Sequence, residues 1–285
     1  MTAFPQPEGT VERIVGKVKE IAVLPQVVYK VIEITGNQAA SPKDIEAAVE
    51  VDPGFCARIL RVVNSAYYAL PRQVSSIREA VLLLGFRALR ELAMTIGAFD
   101  LFMGKTDRGS MRRRVWWRHS LDVALAARAL ARVFPDMNAE EAHAAALLHD
   151  IGKPMLDRHI SGGYDQAEML ISAGMPTLEA ERRTMGAHHC EVGVAVAKLW
   201  RFPPTLVEAI GCHHVPGPDM DYPRLCALVA LCDAFSHCKM AGSEPVEAVP
   251  EWAQVALGVD SDQALAAYEV CCKAIDDSAS FGGAF

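Results

Sequence analysis

What most restricts this chain is the period of its apolar residues. Alanine, leucine, valine and glutamate recur at helical spacing through most of its length, while the two-residue alternation of a half-buried strand is scarce. A period near 3.6 does not fit a strand, because the apolar side chains would fall on both faces of the sheet. The expected fold class is therefore all-α. At 285 residues and 51% hydrophobic content, the chain is long enough for one large helical domain or two closely packed lobes.

Helix starts can be read from capping chemistry. "SPKD" at 41–44 places Ser41 as N-cap, Pro42 at the first helical position and Asp44 three residues on, predicting a short helix to about Val51. Asp52-Pro53-Gly54 restarts the chain into "FCARILRVVNSAYYAL", which brings Ile59, Val62, Val63 and Tyr67 near one face. "SIRE" at 76–79 is a second capping box. It opens "AVLLLGFRALRELAMTIGAFDLF", where Gly85 suggests close packing rather than a break. Residues 104–114, "GKTDRGSMRRR", interrupt the apolar period and mark a boundary. The expected organisation is an N-terminal helical lobe over 1–105, a second helical lobe over 106–240, and a C-terminal extension over 241–285 ending in the loose "SASFGGAF".

Charge and cysteine usage exclude several classes of function. A formal net charge of −7 argues against a general grip on nucleic acid or anionic lipid. Locally, "MRRRVWWR", with Lys105 and Arg108 before it, has two readings: arginines and tryptophans that grip phosphate and stack on bases, or a solvated helix start with tryptophans packed between lobes. The acidic total favours the second. No segment reaches 18 uninterrupted apolar residues and the N-terminal "MTAFPQPEGT" is not a secretory leader, so a cytoplasmic location is expected. The eight cysteines form no C-x-x-C pair and read as reduced, packed thiols, which disfavours thiolate-held zinc.

The residues that carry chemistry are His119, His149-Asp150, His189, His213-His214 and Asp233. Imidazole nitrogen with carboxylate oxygen suits iron, manganese, zinc, cobalt or nickel. His119 shares a helix face with Val115 and Val123, which should point inward; His189 shares one with Gly193 and Ala197, whose small side chains admit a neighbouring helix. His149, His213 and His214 stand at helix C-ends. Asp233 lies on an otherwise apolar face with Val229 and Cys226, where a lone carboxylate needs a cation, a hydrogen-bond partner or a proton. Singly, each has a plain alternative: His119 as a satisfied core histidine, Asp233 paired with His237 one turn later, His213-His214 as an exposed helix end. His143 and His159 have no matching partner and read as surface residues.

The order of these residues resembles that of the HD superfamily of metal-dependent phosphohydrolases, most closely its HDOD branch. "LPQVVYKVIEI", "VDPGFCARILRVVNSAYY" and "SSIREAVLLLGFRALRELA" are similar to the HDOD pattern, and "ALLHDIGK", "HCEVGVAVAKLWRFPPTLVEAI" and "CHH" continue it, over roughly residues 15–240. The resemblance implies a two-lobed helical HDOD fold with an HD-like metal-binding lobe. It implies that His119, His149, Asp150 and Asp233 form a single-metal set in which Asp150 can bridge two ions. His189, His213 and His214 match the further histidines of two-metal members such as the HD-GYP cyclic-dinucleotide phosphodiesterases. Lys153 matches the lysine that contacts substrate phosphate there, which makes Asp150 and Lys153 the candidate catalytic pair. His188 falls outside the pattern. Val115 stands where some HD-GYP members carry a metal-binding glutamate, and "VPGPDMDYP" replaces the Gly-Tyr-Pro element.

Many HDOD proteins are taken to act without hydrolysis. The expected function is therefore a signal-transduction or regulatory protein with an intact HD-type metal site; the alternative is a metal-dependent phosphohydrolase acting on a nucleotide, cyclic nucleotide or other phosphate ester. The expected cofactor is one or two divalent transition-metal ions, iron or manganese ahead of zinc, cobalt or nickel. The expected partner is a signalling protein, with a nucleotide or other phosphate ligand left open and neither membrane nor nucleic acid expected.

Overall fold

The structure, a computed structural model, describes residues 9–277 apart from 22–25, 38, 66, 67, 69, 105, 106, 135, 244 and 246–248. The boundary expected at 105/106, Tyr67 and the terminal "SASFGGAF" lie outside the described residues, as does most of the N-terminal "MTAFPQPEGT". Every regular element among the described residues is a helix. In chain order these are α1 (Thr10–Ile21), α2 (Gln26–Thr35), α3 (Pro42–Val49), α4 (Pro53–Val63) and α5 (Ile77–Met103). There follow α6 (Ser110–Ala131), α7 (Ala139–Leu148), α8 (Gly152–His159), α9 (Gly163–Ser172) and α10 (Thr177–Met185). The chain closes with α11 (His189–Leu199), α12 (Pro204–Cys212), α13 (Pro223–Ala241), α14 (Glu251–Leu257) and α15 (Ser261–Asp277). None of the described helices is long and apolar enough to cross a membrane.

The starts follow local chemistry. The Ser41 N–H donates to Asp44 Oδ2 (2.7 Å) with Pro42 opening α3, and Asp52 Oδ1 accepts from the Phe55 N–H (2.9 Å) at the head of α4. The Ser76 hydroxyl accepts from the Glu79 N–H (3.1 Å), and Asn138 Oδ1 accepts from the N–H groups of Glu140 and Glu141. Each cap satisfies amides that the first helical turn leaves without a partner. Gly85 departs from expectation. At φ +83° and ψ 166° it breaks α5 into two helical stretches, and a Cβ there would meet nothing within 4 Å. The glycine therefore serves the backbone angle rather than close packing.

α6 forms the spine. It packs against α5, α7, α13 and α15. Its Leu121, Val123, Ala124, Ala126, Ala127, Leu130 and Ala131 are buried, and Ala142, Ala145 and Ala146 of α7 are equally sealed. Small side chains on both helices let the backbones lie close, and that closeness fixes where the two helices deliver their histidines. α5 reaches from α2, α3 and α4 on one side to α6 and α7 on the other.

The basic start of α6 differs from a solvated helix end. Arg113 is 1% exposed, donating to Asp157 Oδ2 (2.6 Å), Asp107 Oδ1 (2.6 Å) and the Met103 carbonyl (3.2 Å). Arg112 reaches Asp157, Asp165 and Glu168. The arginines clamp α6 to α8 and α9 with carboxylates already in place, and Trp116 and Trp117 pack edge-on against Tyr164 and against Phe99 and Phe102.

Candidate metal centre

Five helices aim polar side chains at one buried point. His119 comes from the middle of α6, and His149 and Asp150 from the C-end of α7. His189 opens α11, His213 and His214 follow α12, and Asp233 lies in α13. Two glycines make the convergence possible. A Cβ on Gly152 would stand 1.9 Å from the His189 carbonyl oxygen, and one on Gly193 would stand 2.6 Å from Ile210 Cγ2. Any larger side chain at Gly152 would hold α8 and α11 apart, carrying Asp150 away from His189.

The ligating atoms fall into overlapping groups. His119, His149 and Asp150 form one; Asp150, His189, His213 and His214 form a second; His119, Asp233 and His237 form a third. Asp150 belongs to the first two. Its Oδ2 lies 3.4 Å from His149 Nε2 and 4.0 Å from His119 Nε2, while its Oδ1 lies 3.3 Å from His189 Nε2 and 3.7 Å from His213 Nε2. Asp233 Oδ1 lies 2.9 Å from His119 Nε2 and 3.8 Å from His149 Nε2, and its Oδ2 lies 3.9 Å from His214 Nδ1.

Three imidazoles are fixed by their far nitrogens. His149 donates from Nδ1 to the Ala146 carbonyl (2.6 Å) and His213 from Nδ1 to the Ile210 carbonyl (3.0 Å), while His189 Nδ1 lies 2.7 Å from the Glu181 carboxylate. With Nδ1 as donor, each ring turns Nε2 toward Asp150, the arrangement that orients metal-binding histidines. His149 Nε2, Asp150 Oδ1 and His214 Nε2 are buried atoms with no protein partner. His189 Nε2 and His213 Nε2 face each other at 3.3 Å. Two bare lone pairs at that distance repel, so a proton or a cation must stand among them.

The donor set fits a divalent ion. Metal–ligand bonds of about 2.0–2.2 Å place neighbouring ligand atoms roughly 3–3.5 Å apart, which is the spacing of His149 and His189 from Asp150 and of His189 from His213. Imidazole and carboxylate without thiolate suit iron, manganese or a similar transition ion.

Electrostatics favours a cation here. Burial works against charge on Asp150, yet Lys153 and His149 hold its carboxyl well below the usual range; Asp233 is likewise held low by His119 and His237 against the effect of burial. Burial lowers His119 and His214 and holds His213 down to about 4, keeping these rings neutral and able to ligate. His189 behaves oppositely: burial disfavours its charge, but Glu181 raises it well above the ordinary histidine value. In the metal-free chain that extra proton answers the lone-pair conflict with His213. Lys153 Nζ donates to Asp150 Oδ2 at 2.6 Å and supplies positive charge to the same point.

All seven residues singled out from the sequence lie in or beside this cluster. His188 instead caps α11, with Nδ1 accepting from the Glu191 N–H (3.4 Å). Two expectations are corrected. Val115 is 54% exposed rather than inward, because the start of α6 is covered on the face of Arg113 and Trp117 and Val115 lies on the opposite side. His143 is buried rather than on the surface, its Nδ1 3.2 Å from the Ala124 carbonyl of α6. Sequence reasoning missed Glu181, buried in the polar segment "TLEAERRTM", where nothing distinguishes it from its solvated neighbours. It also missed Tyr164, which donates to Glu181 Oε1 (2.9 Å), and the stacking of His237 on His119 at 4.5 Å between ring centres. His237 was legible only as an i+4 partner of Asp233, to which it lies at 3.4 Å.

The HDOD domain family model matches residues 21–216. An HDOD domain protein of unknown function from Geobacter sulfurreducens is 26% identical, with a TM-score of 0.77 and 97% of each chain covered. A protein from Shewanella amazonensis SB2B, assigned as a phosphohydrolase, shares the fold at 22% identity and a TM-score of 0.73, covering 95% of this chain and 97% of that one. A Marinobacter aquaeolei VT8 protein, assigned to signal transduction, shares it at 19% identity and a TM-score of 0.76, covering 98% and 65%. An uncharacterised protein of Treponema pallidum is 25% identical over 263 residues, which is 88% of this chain and 49% of that protein. The chain thus spans about half the length of that relative.

Proposed function

The chain belongs to the HDOD family, and on that premise we propose that it is a signal-transduction protein built around an HD-type centre for one or two divalent transition-metal ions. The observation that carries the reading is the way His149, His189 and His213 each fix Nδ1 and turn Nε2 toward Asp150. His119, His149, Asp150 and Asp233 would hold one ion; Asp150, His189, His213 and His214 would hold a second, with iron or manganese the best chemical match. A bound ion supplies Lewis acidity and polarises phosphate oxygen.

Burial favours signalling over turnover. His149, Asp150 and His189 have no exposed surface and His213 has 1%, so the centre meets the outside through His214 and His237 alone among its histidines. Lys153, which would meet substrate phosphate in a hydrolase, is buried and bonded to Asp150. Such a centre sets the packing of α6, α7, α8, α11, α12 and α13, and the N-terminal helices, expected over residues 1–105, present the surface to a signalling partner. The Marinobacter protein's assignment to signal transduction is in keeping with this.

The alternative, a metal-dependent phosphohydrolase acting on a nucleotide, cyclic nucleotide or other phosphate ester, is favoured by the sharing of Asp150 between two ligand groups and by the Shewanella protein's assignment. In that reading Asp150 and Lys153 are the catalytic pair, Lys153 swinging to neutralise phosphate charge. Elemental mass spectrometry of protein purified without chelator, beside the His149→Ala, Asp150→Ala double variant, tests the centre. Near-stoichiometric metal lost in the folded variant is expected; folded wild type that holds none even after reconstitution overturns it. Metal-loaded protein assayed against phosphodiesters and nucleotides then separates the readings, since sustained turnover abolished by the same substitutions refutes a purely regulatory role.

A further inference from the structure

A cavity of about 540 Å³ lies away from the metal centre, walled by α2, α5, α7 and the turn that leads into α12. Its volume falls in the range of small-molecule sites. Tyr29, Ile32, Met94, Phe202 and Leu206 give it apolar walls, broken at many points by charged and polar side chains.

One such point is His143. Its Nδ1 lies 3.2 Å from the Ala124 carbonyl, which makes Nδ1 the protonated nitrogen and Nε2 a bare acceptor. That Nε2 and the Oγ1 of Thr205, which also lines the cavity, are buried with no hydrogen-bond partner in the chain. Buried polar atoms normally find a hydrogen bond, so two orphans in one cavity wall call for a donor from outside. Both atoms have almost no solvent-accessible surface, so a ligand group that meets them must open the wall locally.

The charges at the rim define the other end. Arg87 is committed to Glu140 and Arg128, behind the wall, to Glu91. The lining carries three arginines and three glutamates, and with Glu91 and Glu140 so engaged Arg90 and Arg201 stand against Glu141 alone. Arg201 also occupies a strained backbone position. It is the non-glycine residue with positive φ (+55°) among the described residues, closing α11 where glycine or asparagine is usual.

We propose that this cavity is a second ligand site, for a small organic monoanion whose apolar or aromatic body carries an N–H or O–H donor. The donor meets His143 Nε2, the body lies against Phe202 and Met94, and the anionic group meets Arg90 and Arg201. The site does not depend on the metal centre. A phosphodiester such as a cyclic nucleotide and an aromatic carboxylate share this chemistry, and the experiment separates them.

The test is isothermal titration of the chelator-treated protein with cyclic AMP, with indole-3-acetate and with inorganic phosphate. Saturable one-to-one binding of an organic probe is expected, tighter than about 1 mM, unchanged by His149→Ala with Asp150→Ala. It should weaken by at least about tenfold in the Arg90→Glu, Arg201→Asn variant. Both arginines are exposed and asparagine tolerates the positive φ, so circular dichroism should show that variant folded. Which organic probe binds identifies phosphodiester or carboxylate as the anionic group. Failure of both organic probes, binding by phosphate as tight as theirs, or binding that survives the arginine changes but not the metal-centre changes overturns the proposal.

Discussion

Replacing Gly152 by alanine adds one methyl group at the tightest backbone approach in the centre. The new Cβ would lie 1.9 Å from the His189 carbonyl oxygen, 2.7 Å from its carbon and 2.9 Å from the Gly193 nitrogen. All three are backbone atoms, so no rotamer change relieves the clash. Non-bonded carbon and oxygen need about 3 Å or more, which requires α8 and α11 to separate by roughly 1 Å. His189 Nε2 is 3.3 Å from Asp150 Oδ1, so that separation changes the ligand spacing by about a third. Overpacking of this kind costs about 1–3 kcal/mol, and a clash with rigid backbone belongs at the upper end. About 3 kcal/mol corresponds to a Tm lower by roughly 6–12 °C for a chain of this size. Gly193→Ala is the control: its Cβ would meet Ile210 Cγ2 at 2.6 Å, a side-chain methyl that can turn away, at a cost of about 1 kcal/mol. Thermal melts and metal analysis of both variants check the argument. A Gly152→Ala protein as stable as wild type, with its metal retained, would refute it.

Other consequences follow from the same packing. In the folded chain burial, with Arg128 adding to it, holds His143 down to about 3, against 6.5 unfolded. The unfolded chain therefore carries the extra proton between those values, and the stability from the neutral ring is complete above pH 6.5 and declines below it. Moving from pH 7.5 to 5.0 should cost wild type about 2 kcal/mol more than His143→Gln, read by urea denaturation; equal losses would count against the burial of that ring. Arg113→Met removes a buried guanidinium that holds Asp157 and Asp107. Since Arg112 still reaches Asp157, the loss should be about 3 kcal/mol, the low end for a broken buried pair, and a change under about 1 kcal/mol in a denaturant titration would contradict the clamp. Glu181→Gln keeps the shape that holds His189 but removes the charge; affinity for added manganese should fall about 10–100-fold by calorimetry, with the fold unchanged, and unaltered affinity would dismiss Glu181 as a positioning residue.

What the sequence displayed and what it concealed have different physical origins. Capping at Ser41, Asp52, Ser76 and Asn138 is a contact between residues three apart, so it is written in the local order. His149-Asp150 was visible because an alanine and leucine helix has no local use for ligating groups at its end. Glu181 was invisible because its role depends on α10 folding against α11, a contact no local pattern encodes. Val115 misled because helical periodicity gives a shared face with His119 but not where the core stops. Gly85 misled for a related reason: a glycine within an apolar period can serve packing or backbone angle, and only the observed φ of +83° decides between them.

The same distinction bears on the choice between signalling and hydrolysis. Ligand identity is local enough to be read from a sequence, whereas access to the ligands is a property of the whole packing. Here His149, Asp150, His189 and His213 are sealed by α6, α7, α11 and α12, and Lys153 is turned inward onto Asp150. For substrate phosphate to reach the catalytic pair, Lys153 must first leave Asp150, uncovering a buried carboxylate at a cost of several kcal/mol unless a cation replaces it. A divalent ion is such a replacement, and it would free the lysine while rigidifying five helices at once. Metal occupancy would therefore couple two properties that a signalling protein and a hydrolase use differently: the packing of the helices, and the direction in which Lys153 points.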